Sequence, residues 1–69
     1  MCGVFGYVGK PTSVMPMVAD ALRVMEYRGY DSWGIGWDQG SYVELVKHAG
    51  RVPQHLEHDA TASIAIGHT

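Results

Sequence analysis

The first third of the chain changes from a short apolar run to a helical pattern. Residues 1–9 are mostly apolar and predict a buried strand, which we expect Lys10, Pro11 and Thr12 to end. Ser13 is then a suitable N-cap, and Gly29 is a suitable terminator for the helix that follows it. The helix is predicted from apolar residues at i, i+4, i+7, i+8 and i+11, namely Val14, Val18, Ala21, Leu22 and Met25.

The remainder of the chain favours strands. In a strand over residues 33–37, large side chains occupy one face and Gly34 and Gly36 the other, so we expect a helix or second sheet close to the glycine face. A hairpin connection at residues 38–41 leads to a second strand at 42–47. A short helix is predicted at 53–58, with Val52 and Leu56 facing inward, and a last strand at 63–67. The predicted order is β-α-β-β-α-β, which indicates a layered α/β or α+β sheet, and of these we expect the α+β class.

Composition narrows the classes of function. The chain has 69 residues, 46% of them hydrophobic, and a formal net charge of −2. This balance gives no basic face, so we expect no nucleic acid and no membrane as partners. One cysteine, no signal peptide and no apolar run long enough to span a bilayer predict a reduced, cytoplasmic protein.

The one cysteine carries the candidate chemistry. If the initiator methionine is removed, Cys2 becomes a terminal residue with both a thiol and a free amine. The unprotonated amine can accept the thiol proton, directly or through a water molecule, and the thiolate is then a nucleophile. The alternative is that Cys2 is a small buried apolar residue, as most free cysteines are.

Four stretches, in this order, resemble the N-terminal part of glutamine–fructose-6-phosphate aminotransferases. They are the opening Met-Cys-Gly-Val-Phe-Gly-Tyr-Val-Gly, the Glu-Tyr-Arg-Gly-Tyr-Asp-Ser run at 26–32, Gly-Arg-Val at 50–52 and Ile-Gly-His-Thr at 66–69. The opening is shared by class II glutamine amidotransferases in general, whereas the run at 26–32 is specific to the sugar-phosphate branch. On this resemblance, residues 1–69 are an incomplete amidotransferase domain, and the sugar-isomerase domain is absent.

The resemblance implies an N-terminal-nucleophile hydrolase fold, an αββα sandwich. It also implies glutamine and fructose 6-phosphate as substrates, no metal or organic cofactor, and a homo-oligomer at full length. In the family, a cysteine thiolate forms a glutamyl thioester, and the released ammonia passes to the isomerase domain. An Asn-Gly pair and an Arg that follow the Ile-Gly-His-Thr stretch complete that site, so we expect the 69 residues alone to be inactive.

A few site residues carry over by position in the motifs. Cys2 matches the nucleophile, and Arg28 and Gly29 match the turn that supports the terminal amine. For Arg28 the alternative is a cation stabilised at a helix C-terminus. His68 and Thr69 are expected near the glutamine pocket. Trp33 departs from the resemblance, since the family usually has a small residue there.

Three other hypotheses remain open. The imidazoles of His55 and His58, with Glu57, Asp59 and His48 nearby, have a spacing that can hold a metal ion, although a solvated face is the simpler interpretation and we predict no metal. The chain could instead be a stand-alone interaction module, which would unfold cooperatively. It could also come from another class II amidotransferase, with a different acceptor.

Overall fold

The computed structural model describes residues 2–56 and 59–69, which form one antiparallel sheet with a helix on one face. The elements are β1 (Val4–Ser13), α1 (Val14–Met25), a 3₁₀ turn (Glu26–Arg28), β2 (Ser32–Asp38), β3 (Val43–Ala49) and β4 (Thr61–His68). The strand order is β1-β4-β2-β3, with every neighbouring pair antiparallel. The α+β class is therefore confirmed. Within the described ranges, no helix combines the length and apolarity needed to cross a bilayer.

The core lies between α1 and the face of the sheet that we call the inner face. Burying each large aliphatic side chain contributes roughly 1.5–3 kcal/mol relative to leaving it exposed, so this one layer supplies most of the apolar driving force. The large buried side chains from α1 are Val14, Met15, Val18 and Leu22, and those from β2 are Trp33, Ile35 and Trp37. Val52 is also buried, and Leu56 packs against the cluster, as the sequence predicts.

The helix approaches the sheet most closely over β4, whose inner face carries small residues. A Cβ atom placed on Gly67 would lie 2.5 Å from Val18 Cγ1 and 3.2 Å from Leu22 Cδ2. Ala65 continues this small-residue surface and is itself buried. The absence of a side chain at Gly67 is therefore what allows α1 to lie against the centre of the sheet.

The glycine face of β2 is covered in a different way from the one predicted. Trp33, Ile35 and Trp37 do share the inner face. Within the described residues, Gly34 and Gly36 are covered by side chains from the two neighbouring strands, and neither a helix nor a second sheet lies over them. The covering side chains are Lys47 and Leu45 from β3 and His68 and Ile66 from β4.

The sequence predicted that the first strand would end at Lys10, but β1 continues to Ser13. The pairing of β1 with β4 shifts register between Val8 and Thr12, so the intervening residues form an irregularity within the strand. Pro11 has no N–H to donate, and an edge strand with a bulge is where a sheet tolerates this. The hydroxyl of Tyr7 donates a hydrogen bond to the Lys10 carbonyl oxygen at 2.6 Å, which satisfies an acceptor in the irregular segment.

The helix starts after Ser13 as predicted, but the serine side chain does not cap it. Its hydroxyl donates instead to Asp59 Oδ1 at 2.6 Å, and the Val14 N–H donates to the Ala60 carbonyl oxygen at 2.9 Å. The first free donor of the helix is thus satisfied by the segment that precedes β4. At the other end, α1 gives way to the 3₁₀ turn before Gly29, which has a φ of +110°.

The second helix predicted at 53–58 is wrong for the residues that the structure describes. Residues 50–56 form bends and irregular backbone, and residues 57 and 58 lie outside the described ranges. The Val52 N–H donates to Glu26 Oε2 at 2.9 Å, and the Pro53 carbonyl accepts from Arg23 Nη1 at 2.6 Å. These backbone groups are bonded to the side chains of Glu26 and Arg23. Such hydrogen bonds compete with those of a single helical turn, which is only marginally stable by itself.

The opposite side of the sheet, which we call the outer face, is apolar and exposed. Its large aliphatic side chains lie on β1, β3 and β4 and retain between 49% and 82% of their accessible surface, and they are Val4, Val8, Val43, Leu45, Ile64 and Ile66. Scattered apolar residues are ordinary on protein surfaces, but a contiguous set on one sheet face is typical of a surface that packs against something else.

Substitution of Gly67 by alanine tests the close approach of α1. We expect Gly67→Ala to lower the free energy of unfolding by about 1–3 kcal/mol, because the new methyl group overlaps Val18 and Leu22. Gly6→Ala is the matched control on β1, since a Cβ there meets no atom within 4 Å and its effect should stay within about 0.5 kcal/mol. Urea unfolding followed by tryptophan fluorescence measures both, and equal effects would contradict the packing described.

Candidate active site

The candidate nucleophile lies where the start of the chain meets its last residues. Cys2 is exposed and precedes β1. The Thr69 N–H donates to the Gly3 carbonyl oxygen at 3.0 Å, which extends the pairing of Val4 with His68 by one more bond. A Cβ on Gly3 would lie 2.6 Å from Met25 Sδ, so the last turn of α1 packs against this end of the sheet. The backbone beside Cys2 is therefore held from two directions.

His68 and Thr69, the two residues expected near a glutamine pocket, are at this same end. His68 is opposite both Val4 on β1 and Gly34 on β2, and its imidazole lies over Gly34 on the outer face. The Thr69 hydroxyl oxygen is buried and has no hydrogen-bond partner within the described part of the chain. The fold thus brings Cys2, His68 and Thr69 to one end of two neighbouring strands.

The other two predicted site residues form the turn after the helix. Arg28 is the last residue of the 3₁₀ turn, and its side chain lies outside the described part of the structure. Gly29 follows with a positive φ that residues with a Cβ rarely adopt, and its N–H donates to the Glu26 carbonyl oxygen at 2.9 Å. The predicted role of Gly29 in ending the helical segment is confirmed, whereas support of a terminal amine stays a prediction for both residues.

The turn is also joined to the segment that carries Gly50, Arg51 and Val52. Glu26 accepts the Val52 N–H, and the Gly50 N–H donates to the Asp31 carbonyl oxygen at 2.7 Å. The Arg51 guanidinium lies over the Tyr30 ring at 4.6 Å from its centroid, an arrangement that favours a cation. Sequence reasoning missed this junction, and the only signal for it was that both stretches belong to the same resemblance.

A metal site finds no support in the described residues. Asp59 accepts hydrogen bonds from the Ser13 hydroxyl and the Ala60 N–H, and His48 packs against Trp33 with 5.3 Å between ring centroids. Among the described residues, no three His, Cys, Asp or Glu side chains lie close enough to hold an ion. Glu57 and His58, which the metal hypothesis also invoked, lie outside those ranges.

The geometry therefore defines an exposed cysteine, one residue from the chain terminus, fixed at the end of an antiparallel sheet. Comparison with known proteins shows what the chain is similar to. A glutamine–fructose-6-phosphate aminotransferase (isomerising) from Gloeobacter violaceus is 41% identical over 75 aligned positions, and one from Chlamydia caviae is 44% identical over 73. Each alignment covers the whole chain and 12% of the relative. One from Mycobacterium tuberculosis is 50% identical over 52 positions, covering 75% of the chain and 8% of the relative.

These similarities confirm the resemblance seen in the sequence. The chain is similar over its whole length to the N-terminal part of glutamine–fructose-6-phosphate aminotransferases, and it spans about an eighth of the length of the curated relatives it matches. Neither a protein-family model nor a solved structure matches it.

The junction between the two stretches can be tested at Glu26. We expect Glu26→Ala to lower the free energy of unfolding by about 1–3 kcal/mol, because the half-buried Val52 N–H loses its acceptor. Glu26→Gln keeps a carbonyl oxygen at that position and should cost less than half as much. Urea unfolding compares the two variants, and an equal loss in both would show that the hydrogen bond to Val52 is not what Glu26 contributes.

Proposed function

We propose that the protein containing this chain transfers the amide nitrogen of glutamine to fructose 6-phosphate, with Cys2 as the nucleophile of the glutamine-hydrolysing step. The observation that carries the proposal is whole-chain similarity to aminotransferases of that name. The position of Cys2 supports it, since an exposed thiol fixed at a strand end can reach a substrate outside the sheet. All of the relatives described above have the same name. This favours fructose 6-phosphate as the acceptor over the acceptors of other class II amidotransferases.

The reaction at Cys2 would proceed in two acyl transfers. With Met1 removed, the free amine of Cys2 accepts the thiol proton, and the thiolate attacks the side-chain amide carbon of glutamine. The carbon–nitrogen bond breaks, ammonia leaves with the transferred proton, and a glutamyl thioester remains. Water then hydrolyses the thioester to glutamate and regenerates the thiol. Both steps pass through a tetrahedral oxyanion, which needs preorganised hydrogen-bond donors.

The fold that we propose for the complete domain is an N-terminal-nucleophile αββα sandwich. Two features of the chain support it. One helix layer and one antiparallel sheet are present, which is half of such a sandwich. The outer face carries exposed aliphatic side chains on β1, β3 and β4, as expected of a sheet that packs face to face with another. On this proposal, residues 1–69 form an incomplete domain, and further sequence supplies the second sheet, the oxyanion donors and the isomerase domain.

We further propose that the intact protein is a cytoplasmic homo-oligomer that uses no metal or organic cofactor. The support is the biosynthetic enzyme named for its relatives and the low charge and single cysteine of this chain. Its substrates would be glutamine and fructose 6-phosphate. The pairing of His68 and Thr69 with the start of β1 supports a glutamine pocket at that end of the sheet.

The central test uses the full-length protein and its Cys2→Ala variant. We expect the variant to lose glutamine-dependent amino-sugar formation by at least about 10³-fold, because no other group replaces the thiolate. Glutamate release and amino-sugar formation are measured by mass spectrometry, which also reports whether Met1 is removed. Amino-sugar formation from added ammonia is the control and should persist. Glutamine-dependent turnover at the wild-type rate in Cys2→Ala would overturn the assignment.

The 69-residue chain by itself gives a second expected outcome. Its thiol should react with Ellman's reagent in the folded state, because Cys2 is exposed to solvent. Glutamine hydrolysis should nevertheless stay at the level of a Cys2→Ser control, since the chain supplies a nucleophile without the oxyanion donors and substrate clamps expected from the rest of the domain. Turnover of glutamine above that control would contradict the proposal that the oxyanion donors and substrate clamps lie in the rest of the domain.

A further inference from the structure

A cavity of about 480 Å³ opens on the helix side of the sheet, where β3 ends and the segment at 50–56 begins. Its apolar wall comes from Met15, Trp33, Val46 and Leu56, of which Met15 and Trp33 are almost fully buried. This volume is within the range of small-molecule sites, which combine an apolar body with a few polar groups. The cavity is separate from Cys2, which is not among its lining residues.

The polar side chains that line this cavity can all donate hydrogen bonds, and one of them, Arg51, carries a permanent positive charge. Arg51, His48 and His55 line it, and all three side chains can present N–H donors. Within the described ranges no carboxylate lines it, in a chain whose formal net charge is −2. A neighbouring cavity of about 260 Å³ differs in this respect, because Asp59 contributes to its wall. The larger cavity is therefore complementary to an anion.

The wall of the cavity that carries Arg51 and His48, which we call the cationic wall after the Arg51 guanidinium, is also held in place before any ligand arrives. The Val52 and Pro53 backbone groups, which follow Arg51, are bonded to Glu26 and Arg23. The Gly50 N–H on the other side of Arg51 is bonded to the Asp31 carbonyl oxygen. The guanidinium of Arg51 rests on the Tyr30 ring, and the His48 imidazole rests on Trp33. Fixing these groups in advance reduces the ordering cost of binding.

We propose that this cavity binds a small organic oxyanion, with an apolar ring or chain against Trp33 and Met15 and its anionic group at Arg51, His48 and His55. Guanidinium is suited to this role because it stays charged and presents a planar set of donors to phosphate or carboxylate oxygens. The site is independent of the proposed reaction at Cys2, since none of its residues takes part there.

The test uses the chain labelled with ¹⁵N and phenyl phosphate as the probe. The two indole N–H resonances separate the outcomes, because Trp33 lines the cavity and Trp37 does not. We expect saturable shifts of the Trp33 resonance with a Kd on the order of 1 mM, an affinity appropriate for a ligand of this size. The Trp37 resonance should stay in place. Inorganic phosphate and benzyl alcohol, which supply only the charge or only the ring, should each bind at least about tenfold more weakly.

Charge-matched variants complete the experiment. Arg51→Gln should weaken phenyl phosphate binding by about tenfold or more, and Arg51→Lys by less, because lysine keeps the charge. Lys47→Gln removes one positive charge from the outer side of β3, away from the cavity, and should change the Kd less than twofold. The proposed site would be contradicted by any of three results. These are equal effects of Arg51→Gln and Lys47→Gln, binding of benzyl alcohol as tight as that of phenyl phosphate, and absence of a saturable shift of the Trp33 resonance. An unchanged Trp37 resonance in every variant verifies that the core is intact.

Discussion

The contact of α1 with β4 at Gly67 is the packing constraint on which the rest of the structure depends. A side chain there would overlap Val18 and Leu22, so the helix can reach the middle of the sheet only over small residues. Once α1 is seated, the inner face of every strand is defined, and Trp33, Ile35 and Trp37 complete the core. The alternation of side chains then sends Ile64, Ile66 and His68 to the outer face. A shift of β4 by one residue would exchange these two sets.

The four stretches that carry the resemblance are joined in pairs by the fold. The opening stretch pairs with the one at 66–69 through the β1–β4 ladder, which fixes the backbone beside Cys2. The stretch at 26–32 joins the one at 50–52 through Glu26, the Asp31 carbonyl and the stacking of Arg51 on Tyr30. Motifs that are distant in sequence are thus two local junctions in space. One junction positions the candidate nucleophile, and the other forms the cationic wall of the cavity.

Elements with strong periodicity were predictable from the sequence, and elements determined by distant partners were not. The stripe from Val14 to Met25 and the alternation at Trp33, Ile35 and Trp37 gave α1, β2 and the core. The helix predicted at 53–58 was wrong because backbone groups there bond to Arg23 and Glu26, which no local pattern reveals. The early end of β1 was wrong because an edge strand can absorb Pro11 in an irregularity. For the candidate site, Cys2, Gly29 and His68 came from motifs, whereas the meeting of Cys2 and His68 at one end of the sheet required the topology.

The central position of β4 has a consequence for synthesis. The β2–β3 hairpin is local and can form as soon as it is made, but among the described strands β1 pairs with β4 alone, some fifty residues later in the chain. At translation rates of about 5–20 residues per second, the amino terminus stays unpaired for roughly several seconds after it emerges from the ribosome. Processing enzymes that act on nascent chains therefore have access to the residues before β1 during that interval. In the finished fold, the pairing of β1 with β4 fixes the backbone beside Cys2. During synthesis, the same topology leaves Cys2 accessible while the methionine before it can still be removed.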